Sequence, residues 1–134
     1  MSVKVIRSLL ASSGPLTSLV PAAHIMAGTV PEATQLPAIG ITEVSLVPVS
    51  AIDAQAEFSL VASRIQVTIM TKDYPSSRTI LDEVRRACNF ARGEIAGVDV
   101  ASIVRDTVGP DLSDDAAEVH FKSIDFKVTY HEQN

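Results

Sequence analysis

Apolar residues recur along the chain at two different spacings, and the switches between them mark out the elements. Ile65, Val67 and Ile69 alternate strictly with Arg64, Gln66 and Thr68. A period of two is that of a strand with one buried and one wetter face, as in an antiparallel sheet. This strand is predicted to run over residues 58–71. Lys72-Asp73-Tyr74-Pro75 breaks it, and Pro75 suits the first turn of a helix, where its missing N–H would have had no partner. Leu81, Val84, Cys88 and Ala91 then recur at three and four residues, with Ile80 and Ala87 widening the stripe. Arg78, Asp82, Arg85, Asn89 and Arg92 fall opposite. That spacing predicts an amphipathic helix laid on a sheet, with Gly93 as its C-cap.

The remaining segments are read in the same way. Val3, Ile6, Leu9 and Leu10 share one helical face over residues 3–11, ended by Gly14-Pro15. Leu16 to Val20 adds a short helical turn, His24-Ile25-Met26 a short strand, and residues 28–37 a proline-containing loop. Residues 38–47 alternate as a strand that Pro48 closes or marks as an edge. Val98 and Val100, then Ile103 and Val104, predict an extended segment toward Val108. Gly109-Pro110-Asp111 is a turn signal that Ser113-Asp114-Asp115 prolongs as a polar loop. In the last strand, residues 118–131, Ile124, Phe126, Val128 and Tyr130 share a face while Val119 and Phe121 are out of phase. A bulge near Lys122-Ser123 would restore the register. The sum is an α+β fold: a mainly antiparallel twisted sheet with two helices packed on one face.

Composition narrows the classes of function. The 134 residues suit one domain, 1–134. Sixteen acidic against eleven basic residues give a net charge of -5. That argues against an electrostatic nucleic-acid binder and against a polybasic membrane module. Residues 1–42 hold two bases and one acid, and residues 43–134 hold nine and fifteen. Prolines at 15, 21 and 31 interrupt the weakly charged N-terminal third, so no span of ~20 apolar residues forms. A signal-peptide core there would reach about three residues, short of the ~7 to 15 required.

Residue chemistry supplies no catalytic constellation. Cys88 is the one cysteine, so neither a disulfide framework nor an all-cysteine zinc site is expected. The histidines, His24, His120 and His131, have no metal-pair spacing. The acidic run from Asp111 fails as a calcium loop: Ala116 stands where an EF-hand needs Gly, and Lys122 where it needs a bidentate Glu. Neither Gly-x-Ser-x-Gly nor a phosphate-cradling glycine loop occurs. Arg78, Arg85 and Arg92, spaced by seven, are predicted to stack along the outer helix face with Arg86 beside them. They read either as a solvated face or as a contact with an acidic partner surface. Faces of opposite sign would suit a head-to-tail ring.

Taken in order, the chain resembles the tail-terminator or tail-completion proteins of long-tailed bacteriophages. The resemblance rests on Val5-Ile6-Arg7-Ser8-Leu9-Leu10, on His24-Ile25-Met26 leading through Gly28 to Pro31, and on Leu36-Pro37-Ala38-Ile39. It continues in residues 64–72, in the helix with Ile80, Leu81, Val84 and Arg85-Arg86-Ala87, and in the closing strand, residues 123–130. It implies a structural virion protein without catalysis or cofactor. The protein would form a homo-oligomeric ring, commonly a hexamer, at the head-proximal end of the tail tube. There it would stop tube polymerisation and meet the head-closure or connector protein, while DNA crosses the bore without specific binding. Its place would be the head–tail interface of the virion, after assembly from the host cytoplasm.

An acidic bore wall would repel phosphates, and Asp111, Asp114 and Asp115 are the candidates for the channel or its rim. Residues 47–62, with Val49, Ile52 and Phe58, read as an arm gripping a neighbour or as a surface hairpin. Together with Arg78, Arg85 and Arg92 they are the candidate subunit, tail or head contacts. Two alternatives stay open: another neck or tail component, such as a head-closure or tail-tube protein, and a small ligand-binding α+β domain using His24 or His120.

Overall fold

The computed structural model describes residues 2–31, 34–49 and 58–133. The helices are α1 (Ser2–Ala11), the single turn α2 (Gly14–Thr17) and α3 (Tyr74–Cys88), with a 3-10 turn at Ala22–His24. The strands are β1 (Ile25–Ala27), β2 (Ala38–Pro48), β3 (Phe58–Thr71), β4 (Gly93–Ile95), β5 (Val98–Val108), β6 (Leu112–Asp114) and β7 (Val119–Gln133). Among the described residues they make one sheet in the order β1-β2-β3-β7-β5-β4, with β6 paired to β7 in line with β5. Every pairing is antiparallel except β1 with β2. The expected α+β architecture is thus present, with α1 and α3 on the same face.

The period-two pattern becomes the core. Ile65, Val67 and Ile69 of β3 and Ile124, Phe126 and Val128 of β7 are fully buried beneath the helices. Val5, Ile6 and Leu10 of α1 and Ile80, Leu81 and Val84 of α3 close over them. Each large apolar side chain so buried contributes roughly 1.5–3 kcal/mol. The α1 N-terminus is fastened by a polar knot: Glu43 accepts from Ser2 Oγ at 2.8 Å and from Ser63 Oγ at 3.1 Å. Burial, with Glu132 and Glu43 nearby, pushes the adjoining Tyr130 hydroxyl above its ordinary pKa, while a bond to Ser2 opposes the shift.

Four expectations need correction. First, β7 runs against β3 without a break from His120 to Gln133, so there is no bulge at Lys122-Ser123. Lys122 keeps its core-facing place, 8% exposed, because its Nζ lies 2.8 Å from Asp111 Oδ1. Phe121 faces the opposite side, across from Met70. The register shifts fall instead in β2, between Glu43 and Ser45, and twice in β5.

Second, α3 ends at Cys88, short of Gly93: Asn89 is its C-cap and Phe90 takes φ 68°. Ala91 and Arg92 therefore lie beyond the helix. Third, Leu112–Asp114 is a strand, not loop, because residues 119–121 of β7 offer it a free edge. Fourth, the loop placed at residues 47–62 is narrower, since β2 runs to Pro48 and β3 resumes at Phe58; residues 50–57 lie outside the described residues.

Candidate interaction surfaces

The end of β2 carries a run of exposed apolar residues. β1 pairs only with residues 39–41, so residues 42–48 have no outer partner strand among the described residues. From the Glu43/Ser45 register shift onward, Val44, Leu46, Val47 and Val49 are 41–56% exposed. Val49 N still donates to Leu60 O at 2.9 Å, so β2 stays paired with β3, itself paired with β7 back to Phe58, and residues 42–49 form an outer edge of the sheet. Of the expected contacts here, Val49 is on this edge. Phe58 opens β3, and Ile52 lies outside the described residues.

On the opposite side, the arginines of α3 stand over the C-terminal half of β5. Arg85 reaches Asp82 at 4.0 Å and Arg86 reaches Glu83 at 2.6 Å, both pairs one turn apart on the helix. Exposed pairs of this kind contribute only ~0.2–0.5 kcal/mol each. Arg78 and Arg85 line a groove between α3 and β5, whereas Arg92, beyond the helix end, does not. This groove holds about 460 Å³; Leu81, Val108 and Ile124 form its floor and Arg105 and Asp82 complete its rim. Phe90, just past the end of α3, is 78% exposed, its N–H bonded to Ile103 O at 2.8 Å.

The three candidate channel carboxylates are not equivalent. Asp111 accepts from Lys122 and, at 3.1 Å, from Tyr74 Oη. The bond from Lys122 outweighs desolvation and holds its carboxyl below the ordinary value of 3.8. Asp114 Oδ1 accepts from the N–H groups of Ala116 and Ala117, fixing the β6–β7 turn. Asp115 is exposed in that turn. The face of the sheet away from the helices is polar: Arg64 at its centre pairs with Asp106 and, at 3.5 Å, with Asp125.

Comparison with known families now bears on these surfaces. Residues 4–131 match the family described as tail completion protein gp17. The chain belongs to that family. It is accordingly a structural protein of the phage tail. Among solved structures, one similar chain comes from the virion of a native gene transfer agent particle. The two share 11% identity over 95% of this chain and 92% of that one, with a TM-score of 0.70, which speaks for a common fold. A comparison with curated protein sequences finds no match.

In a tail completion protein the buried reactive groups read as framework. Burial pushes the Cys88 thiol up to about 12, so it stays protonated under α3. His24 Nδ1 is 3.2 Å from Pro37 O, and the His120 ring meets Tyr74 edge-on at 6.5 Å. Among the described residues no three of His, Cys, Asp and Glu are grouped to hold a metal ion. Sequence reasoning missed Arg105, Val108 and Phe90 as surface features. The available signal was two apolar residues, Val104 and Val108, at outward positions of a strand that ends in a turn.

Proposed function

We propose that this tail completion protein closes the head-proximal end of the tail tube as a hexameric ring, each copy one domain of residues 1–134. It would stop tube growth and present a surface to the head-closure or connector protein. The observation that carries the reading is family membership over nearly the whole chain, residues 4–131. The physical features agree with it. Two different exposed patches on opposite sides of the sheet suit a heterologous contact, which closes into a ring when the rotation between copies permits.

DNA would pass through the bore without being gripped, since a protein of net charge -5 offers its phosphates little attraction. Asp114 and Asp115 would carry the acid of the rim or channel, with Asp111 neutralised behind them by Lys122. The protein would act at the head–tail interface of the virion and wait in the host cytoplasm before assembly.

Light scattering after size exclusion, with negative-stain images of the peak, tests the proposal. The expected species is a ring of about six times 14.3 kDa, free or bound to one end of isolated tail tubes. A monomer at every concentration that also ignores tube ends would refute it. Long filaments would identify a tube subunit instead.

A further inference from the structure

We propose that the groove between α3 and the C-terminal half of β5 docks an acidic segment of another protein. That segment would bring carboxylates to the rim and a small apolar side chain to the floor. Such a site would stand whether or not the protein forms a ring.

The cations that meet here come from two separate elements. Arg78 and Arg85 stand two turns apart on α3, about 10 Å at 1.5 Å per residue, and Arg105 lines the other bank, on β5. That bank is held by Asn89, whose Oδ1 accepts from Arg105 N at 3.1 Å. In a chain of net charge -5, the groove sets three cations against one carboxylate, Asp82.

Neither local pairing nor the helix dipole accounts for this set. Among the described residues no carboxylate lies within 4.0 Å of Arg78 or Arg105, and Asp82 reaches Arg85 only at that distance. Asp111 is near enough to feel Arg78, but its oxygens are engaged by Lys122 and Tyr74. A helix dipole favours cations at the C-terminus, which suits Arg85 in the last turn. Arg78 stands instead just past the first turn, which itself holds no acidic residue. Like charges gathered from two elements repel, and an anion between them relieves the repulsion. Guanidinium forks match carboxylates through two parallel hydrogen bonds.

Two features select a peptide over a nucleic acid. The floor is apolar, with Leu81 and Ile124 closing it and Val108, 39% exposed, open to a ligand. A phosphate backbone has no aliphatic side chain to place there. The surroundings are also acidic: residues 43–134 hold fifteen acids against nine bases. That field repels a long polyanion far more than a short segment with two or three carboxylates.

Fluorescence anisotropy of a labelled peptide of Glu-Leu-Glu repeats, at low ionic strength, tests the assignment. The unaltered full chain should bind it. Arg78→Gln and Arg105→Gln should each weaken binding on the order of tenfold, the worth of a lost hydrogen bond between charged groups. Tm should stay unchanged, since both side chains are exposed. Arg86→Gln alters the same helix outside the groove, where Arg86 is bonded to Glu83, and should leave binding intact. Equal weakening by Arg86→Gln would reduce the effect to bulk charge and overturn the site, as would no binding by the unaltered chain. A short DNA duplex that competes as well as the peptide would assign the arginines to phosphate instead. Peptide binding that is lost as the protein is concentrated, with dimers in light scattering, would give the groove to a second copy. None of these readouts requires a ring.

Discussion

The two long edges of the sheet are finished in opposite ways. On the β5 side the edge is closed. β4 pairs with residues 98–100, Phe90 N–H bonds Ile103 O, Asn89 Oδ1 accepts from Arg105 N at 3.1 Å, and two register shifts disturb the strand's regularity. On the β2 side β1 covers three residues and the strand then runs bare among the described residues, with valines and leucine exposed. Exposed apolar edges invite pairing with other chains, and monomeric proteins blunt them. This chain blunts one and leaves the other open. The contrast makes the open edge the candidate attachment point, since the same sheet shows how such an edge is sealed.

Side chains along the two edges should therefore fail in different assays. Ile103 is fully buried beneath the closed edge, and Ile103→Ala should cost roughly 2–5 kcal/mol in urea unfolding. Leu46, 41% exposed on the open edge, should tolerate Ala within about 0.5 kcal/mol, yet Leu46→Ala should weaken ring formation if that edge is the contact. Comparable stability losses from both would erase the distinction. Gly40 probes the junction where cover ends. A Cβ there would lie 2.8 Å from Gly28 O, a backbone atom, and 3.2 Å from Val30 Cγ2. Gly40→Ala should cost about 1–3 kcal/mol by forcing β1 away. It should also lengthen the bare edge, so light scattering should show added self-association.

How much of this was legible in the sequence follows the range of the forces involved. β3 was readable to its ends, because strict alternation and Pro75 are both local. The helical stripe over Ile80, Leu81, Val84 and Cys88 was equally plain. The end of α3 was not, for Ala91 and Arg92 continue the helical spacing. The chain turns at Asn89 because Asn89 and Phe90 bond β5, at Arg105 and Ile103. The misplaced bulge has the same origin. Lys122 at a core position looks like an error of register until Asp111 supplies its counter-charge. Of the surfaces, the exposed edge was visible in part as Val49 beside Pro48, and Arg78 and Arg85 as a seven-residue spacing that Arg92 leaves with the helix end. The groove was not, since its floor and rim are joined only by packing α3 against β5 and β7.

Asn89→Ala gives a smaller effect and isolates the seal of the closed edge. Losing one half-exposed hydrogen bond should cost about 0.5–1 kcal/mol, because water can replace the lost acceptor. The amide of Arg105 should then exchange hydrogen faster, with little change for residues 42–48, which lack such a cover. Equal acceleration at both edges would mean that Asn89 acts through the whole sheet and not as a local seal.

The last contrast is a pH dependence on the β5 side. Asp111 ties the turn after β5 to Lys122 and Tyr74, and its folded pKa lies below the ordinary 3.8. A depressed carboxylate contributes stability that is fully present above its unfolded value and disappears as pH falls through the folded one. Asp111→Asn should therefore lower Tm at neutral pH, where it leaves the Lys122 ammonium without its counter-charge. The gap to the unaltered protein should narrow below pH 3.8 and close once Asp111 is protonated in both states. Assembly through the open edge at neutral pH should be untouched, because Asp111 lies on the other side of the sheet from β2. A loss of rings in Asp111→Asn at unchanged Tm would move the subunit contact to the acidic turn and away from the open edge.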